Sequence, residues 1–294
     1  HPRSLMLASR NSDDALTNAA PMYITVGPQC CGKSTFLKKQ HPNVLDISLD
    51  DQLDVYIPID TSTFLSINAN NTNTGNDTKC LDDIYHGKTL RDRIRNDNTE
   101  LGLILQFWNG ELSPQNFSIH LLQFYQEKRL PIQVAQSLIR TVQETKCQLP
   151  DQVQVFVLES LFRPHPTDNL SAIQRAYKLL RTTPSHIPVA WGNTNSKPRD
   201  YQMALEIACQ TRRPVHIFLA SPDAPLPSLP LSVLLARNLQ RLSESGKYVP
   251  AFAIAECSQR VDGIIDQTID MDAFGKEQYL VHLAEPPQPR NNHN

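Results

Sequence analysis

The apolar run Met22-Tyr23-Ile24-Thr25-Val26 leads directly into Gly27-Pro28-Gln29-Cys30-Cys31-Gly32-Lys33-Ser34-Thr35, which reads G-x-x-x-x-G-K-[ST]. A strand before this pattern and a helix-forming Ser34–Gln40 after it supply the context of a phosphate-binding loop. The spacing has a physical reason. Glycines let backbone N–H groups curl around the α- and β-phosphates, and the following helix aims its positive N-terminus at them. The sequence therefore predicts a nucleoside triphosphate site built from Gly27, Cys30, Cys31, Gly32, Lys33, Ser34 and Thr35. Lys33 would reach the β- and γ-phosphates, and Ser34 would hold Mg²⁺.

The chain has 294 residues, 40% of them hydrophobic, with 28 basic and 30 acidic side chains and a formal net charge of −2. That length suits one large α/β domain or two modest ones. The near-balance of charge excludes a protein that coats itself in nucleic acid, so any such contact must come from a local basic patch. Six cysteines at 30, 31, 80, 147, 209 and 257 include no C-x-x-C pair, and two sit inside the loop itself. This usage predicts a reducing, intracellular compartment, cytoplasmic or nuclear. No run approaches the ~18 apolar residues of a membrane span, and no segment reads as a secretory leader, so no membrane association is expected.

Residues 1–20 read as a poorly ordered polar tail, followed over 21–294 by a single domain with a helical insertion at about 65–150. A second strand, Asn43–Ser48, stops at the acidic pair Asp50-Asp51. The polar run Asn68–Thr78 reads as a flexible loop that opens the insertion. Within the insertion Leu101, Ile104, Leu105 and Trp108, then Ile119, Leu122, Phe124 and Tyr125, recur at helical period. The aromatics Phe107, Trp108, Phe117, Phe124 and Tyr125 could stack on bases, but aromatics at this spacing more often fill a core. The sheet is expected to resume at Val153–Leu158, ending at Glu159 near the metal. Helix Ser171–Leu180, strand Pro188–Trp191, helix Asp200–Cys209 and strand Val215–Leu219 follow, and the alternation predicts a parallel α/β sheet flanked by helices. Pro222–Pro227 reads as a stiff turn and Leu231–Leu242 as an arginine-studded amphipathic helix.

Four features fall in one order: the phosphate loop, Asp50-Asp51, the block Trp191-Gly192-Asn193-Thr194-Asn195-Ser196-Lys197-Pro198-Arg199, and Arg237-Asn238-Leu239-Gln240-Arg241 followed by Val249-Pro250. Together they resemble the P-loop polynucleotide 5′-hydroxyl kinases of bacteriophage and animal repair enzymes, over about residues 22–60 and 150–255 but not over the insertion. The resemblance implies a phosphotransferase that moves the γ-phosphate of ATP or GTP to the 5′-hydroxyl of single-stranded RNA or DNA, in RNA repair or processing. It implies Asp50 as general base, Arg237 and Arg241 as lid residues that clamp phosphates, and a metal set of Ser34, Asp50 and Glu159. A carboxylate within hydrogen-bond reach of a hydroxyl can accept its proton during in-line attack. Two arginines one helical turn apart share a face.

The chain departs from the resembled pattern in two places. Gly192 stands where many of those kinases carry aspartate before a threonine-asparagine pair. The arginine that follows the acidic pair in several of them is absent from Gln52-Leu53-Asp54-Val55-Tyr56. Acceptor capture would fall to Lys88, Arg91, Arg93 and Arg95 in the insertion, or to Arg163 and Lys197. Two other readings stand beside the first: a P-loop kinase of a small hydroxyl metabolite or nucleotide, and a nucleotide-binding switch protein.

Overall fold

The computed structural model describes residues 19–52, 56–58, 99–145, 147–154, 169–220, 226–266 and 279–282. In chain order its elements are β1 (Met22–Val26), α1 (Lys33–Gln40), β2 (Leu45–Ile47), β3 (Tyr56–Pro58), α2 (Thr99–Trp108), α3 (Pro114–Glu127), α4 (Ile132–Glu144), β4 (Gln152–Gln154), α5 (Ala172–Thr182), β5 (Val189–Trp191), α6 (Gln202–Gln210), β6 (Val215–Leu219), α7 (Leu231–Ser245), α8 (Ala251–Asp266) and β7 (Tyr279–His282). They fall into two compact units. Unit one comprises His1–Leu49, Arg175–Leu229 and Glu256–Asn294, and unit two comprises Asp50–Gln174 and Pro230–Ala255.

Unit one is an α/β fold on a parallel sheet of order β2-β5-β1-β6, flanked by helices, with β7 running parallel beyond β6. β1 pairs on both sides, Met22 opposite Val189 and Val215, and all five of its residues are buried. A strand covered on both faces reads as a continuous apolar run, which is why Met22–Val26 is so plain in the sequence. At the opposite end of the sheet from the glycine loop, the buried guanidinium of Arg213 donates to the carbonyls of Ala20 (3.1 Å), Ile187 (2.7 Å), Thr183 (2.9 Å) and Pro184 (2.8 Å). It ties together the amino ends of β1, β5 and β6, whose approach segments would otherwise leave these carbonyls without donors.

The chain leaves β1 toward β2 on one side, whereas β7 lies on the far side of β6. The carboxyl ends of β1 and β6 therefore flank a topological switch point, the place where open α/β sheets bind ligands. The glycine loop begins there, with Ala220 N–H donating to Val26 O at 2.8 Å.

Unit two packs the helices α2, α3 and α4 around Leu101, Ile104, Phe117, Leu121, Tyr125, Leu138 and Val142, all nearly or fully buried. Phe107 stacks on Phe117 with ring centroids 4.9 Å apart. Phe117, Phe124 and Tyr125 fill a core, as their helical spacing favoured, while Phe107 and Trp108 are half-buried. Ser113 caps α3 by accepting from Asn116 N–H, with Pro114 at the first helical position. Glu100, 1% exposed, accepts from the hydroxyls of Tyr125 and Tyr248 and from Ala251 N–H, fastening α2 to α3 and to the start of α8.

Val153 and Gln154, the described part of the run expected to resume the parallel sheet, do not join it. β4 pairs antiparallel with β3, Tyr56 opposite Gln154, in a separate two-stranded sheet within unit two. An isolated alternating run does not say which strand it will pair with, and here β3 supplied the partner. Residues 155–158 and Glu159 lie outside the described residues, as do residues 1–18, the polar run 68–78, Cys80, the basic residues 88–95, Arg163 and residues 221–225. Three elements had no counterpart in the sequence reading, β3, α8 and β7.

Candidate functional site: a phosphate loop and the strand ends that brace it

The loop Gly27–Thr35 places Cys30 at φ 63 and Gly32 at φ 100, two left-handed residues separated by one. Alternation of this kind turns successive N–H groups toward one concavity and makes an anion nest. Gly32 is the N-cap of α1, and at φ 100 a Cβ there would be strained. The first bond of the helix runs from Phe36 N–H to Gly32 O (2.8 Å), so the N–H groups of Lys33, Ser34 and Thr35 have no acceptor within the helix. They point ahead of its positive end, where an anion is stabilised.

Lys33 lies along its own loop. Its ammonium donates to Gly27 O at 2.9 Å and Pro28 O at 2.7 Å, and the residue is 8% exposed. Phosphate oxygens would compete with these carbonyls for the same three donors. Cys31 is buried, and so is Cys257, whose thiol burial pushes up against the opposing influence of Lys33 and Ser196. A thiol held protonated in this way is a packing residue and a poor nucleophile.

The exposed Ser34 hydroxyl donates to Asp46 Oδ2 at 2.9 Å. Asp46 comes from β2, and sequence reasoning passed over it. Its only signal was a single acid in the apolar run Val44-Leu45-Asp46-Ile47, which also fits an edge-strand residue facing water. Across the sheet Asp46 pairs in register with Ala190, and two residues along β5 the chain reaches Gly192. A Cβ at Gly192 would stand 1.9 Å from Asp46 Oδ1, so the glycine that departs from the resembled kinases leaves room for this carboxylate. A hydroxyl and a carboxylate are hard oxygen donors, and with phosphate oxygens and water they make a set that suits Mg²⁺. Among the described residues no group of three or more His, Cys, Asp or Glu side chains could hold a metal by itself.

The block Trp191–Arg199 braces the loop. Asn195, fully buried at φ 51, donates through Nδ2 to Thr25 O (2.9 Å) and Trp191 O (3.1 Å), cross-linking the ends of β1 and β5. Thr194 O accepts from Gly27 N–H (3.1 Å), and Asn193 Oδ1 accepts from Leu49 N–H (3.0 Å) just past β2. Three strand ends thus converge on one loop. Lys197, offered as an acceptor-side cation, has its backbone N–H on Asp200 Oδ2 at 2.9 Å.

The remaining predicted residues belong to unit two. Asp50 opens a single 3₁₀ turn, Asp50–Gln52, and its Oδ2 accepts from Arg241 Nη2 of α7 at 2.6 Å. Beside it Lys247 approaches Asp51 at 3.3 Å. Arg237 lies one turn before Arg241 and is exposed. Between them Asn238 is fully buried and holds the Val249 backbone twice, donating to its O at 2.8 Å and accepting from its N–H at 3.2 Å. The pairing of an R-N-x-x-R helix with a Val-Pro turn thus has a structural cause in its asparagine.

Compared with known proteins, the chain matches no family model, and no curated protein matches it. No helix among the described residues is long and apolar enough to cross a membrane.

Proposed function

We propose that this chain is an NTP-dependent phosphotransferase that transfers a γ-phosphate to a polynucleotide 5′-hydroxyl. The observation that carries the first half of this reading is the loop itself. Left-handed Cys30 and Gly32, the N-terminus of α1, Lys33 and Ser34 form a cradle for the β- and γ-phosphates at a switch point of a parallel sheet. In this reading Lys33 exchanges its loop carbonyls for phosphate oxygens, and Ser34 would hold a Mg²⁺ that accompanies the ATP or GTP. Such a metal would supply charge neutralisation at the transferring group, while the protein orients donor and acceptor.

The second half rests on the order of four motifs and on the Asp50–Arg241 pair. Asp50 takes the proton of the attacking hydroxyl, and Arg237 and Arg241 offset charge on the phosphates. Asp50 Oδ2 lies 2.6 Å from Arg241 Nη2, so the carboxylate and this arginine stand side by side. The acceptor is single-stranded RNA or DNA. A small hydroxyl compound is the alternative favoured by the missing acceptor-side arginine after Asp51 and by the net charge of −2.

The test is transfer of labelled γ-phosphate from ATP and from GTP to short single-stranded RNA and DNA with 5′-hydroxyl ends, beside an Asp50→Asn control. Label on the oligonucleotide that disappears in the control supports the reading. Nucleotide binding without transfer to either polymer rejects the polynucleotide as acceptor and favours the small hydroxyl compound.

A further inference from the structure

We infer that Asp46 and Gly192 together form one carboxylate position beside Ser34, and that this carboxylate sets the Mg²⁺ dependence of nucleotide binding. The inference rests on the phosphate-loop reading and adds a residue to it. Ser34 Oγ lies 2.9 Å from Asp46 Oδ2, on the side chain that the loop would turn toward a metal. Asp46 is half-buried, on a strand whose register with β5 fixes it to within one residue of the sheet. A slip of one position would send the side chain to the other face.

The position is shaped from both sides. A Cβ on residue 192 would come within 1.9 Å of Oδ1, 2.9 Å of Cγ and 3.1 Å of Oδ2 of Asp46. All three atoms of the carboxylate therefore occupy the space into which a side chain at 192 would project. Any residue but glycine at 192 displaces Asp46. An aspartate at 192 would put its own carboxylate where that of Asp46 now stands. Backbone around the position is pinned on both strands, because Gly192 N–H donates to Ile47 O at 3.1 Å and Asn193 holds Leu49. Asp46 acts as a ligand to the metal or through a bound water, since Mg²⁺ commonly retains several waters and takes only one or two carboxylates. Removal of a group in either shell of a metal typically costs about 10–100-fold in affinity.

The experiment measures binding of a fluorescent ATP analogue to the whole chain in Mg²⁺ and in EDTA, with thermal melting of each variant as a check on folding. In the wild type Mg²⁺ should tighten binding. Asp46→Ala and the isosteric Asp46→Asn should each remove about tenfold or more of that Mg²⁺ enhancement while leaving binding in EDTA within a few-fold. Gly192→Asp alone should also lose the enhancement, by crowding Asp46 out of place. The double variant D46A/G192D should recover it to within a few-fold of the wild type. A folded double variant that binds like Asp46→Ala overturns the exchange. Full Mg²⁺ enhancement in Asp46→Asn overturns the inference even where the double variant fails to fold. Wild-type protein that binds no nucleotide in either buffer overturns the phosphate-loop reading itself, a result distinct from the other two.

Discussion

The two units hold their polar residues in opposite ways. In unit one the groups that the proposal sets against a phosphate are backbone N–H groups, positioned by left-handed residues and by strand ends that Asn195, Asn193 and Thr194 tie together. In unit two the candidate reacting groups are long side chains, Asp50 against Arg241 and Lys247 near Asp51, at 30/34% and 19/57% side-chain exposure. Backbone donors braced by a sheet require no reorganisation when an anion arrives. Side-chain ion pairs at a surface can exchange partners at little cost. Under the proposed function the difference is a division of labour: the first unit would bind, and the second would carry groups that change partners during a reaction.

Lys33→Ala should break the first half of this comparison most severely. The lysine would lose two charge-assisted contacts to phosphate of about 2 kcal/mol each, which corresponds to roughly a thousandfold weaker binding. Calorimetric titration with ATP and Mg²⁺ reads this directly. Binding retained within tenfold would mean that the loop is a turn with an incidental lysine. Next in size is Asp50→Asn, which should lower the rate of phosphate transfer by about a hundredfold, the usual scale for a positioned base. Nucleotide affinity should move far less. An equal fall in affinity and rate would place Asp50 among the binding groups and erase the division between the units.

Glu100 tests unit two from the inside, because among the described residues it is the one carboxylate there that is enclosed. Alanine at 100 would leave the hydroxyls of Tyr125 and Tyr248 and the N–H of Ala251 without their acceptor, at about 2–3 kcal/mol of stability. Urea unfolding, or hydrogen exchange at the start of α8, reads the loss. Burial raises the carboxyl above the ordinary glutamate range, against the lowering effect of its three donors. The folded chain therefore binds a proton more tightly than the unfolded chain. Stability from this residue is present in full below the ordinary range and falls as pH climbs through the raised value. Glu100→Gln keeps one acceptor oxygen and should flatten that slope. A slope identical to that of the wild type would show that Glu100 does not titrate in this window.

What was legible in the sequence was local. The turn of the glycine loop into α1 could be read because its geometry is carried by consecutive residues, and β1 because a doubly covered strand is uniformly apolar. Helix α7 was plain from its period. Asp46 was not legible as a site residue, since its meaning depends on a missing Cβ at Gly192, far along the chain. Glu100 was equally silent, its three donors coming from α3, from Tyr248 just before the Val-Pro turn, and from α8. The unforeseen pairing of Val153 and Gln154 has the same origin. Alternation announces a strand but not its partner, and these residues pair with β3. Asn238 was read as part of an arginine motif, yet its buried side chain on Val249 is what the spacing serves.

The smallest expected effect is also the most discriminating about Arg241. As a structural ion pair it is worth little, because both side chains are about a third exposed and solvent screens them. Arg241→Ala should therefore cost less than about 1 kcal/mol in urea unfolding, and less still in high salt. If the arginine instead serves transfer, the same variant should lower the rate by much more than its stability loss explains, and Arg241→Lys should not restore it. A lysine keeps the charge but lacks the planar fork that meets a carboxylate or phosphate with two parallel bonds. The outcome that breaks the comparison is a large stability loss with the transfer rate of the surviving folded protein unchanged. Arg241 would then be a brace for Asp50, as Asn195 is for the loop, and unit two would be as fixed as unit one.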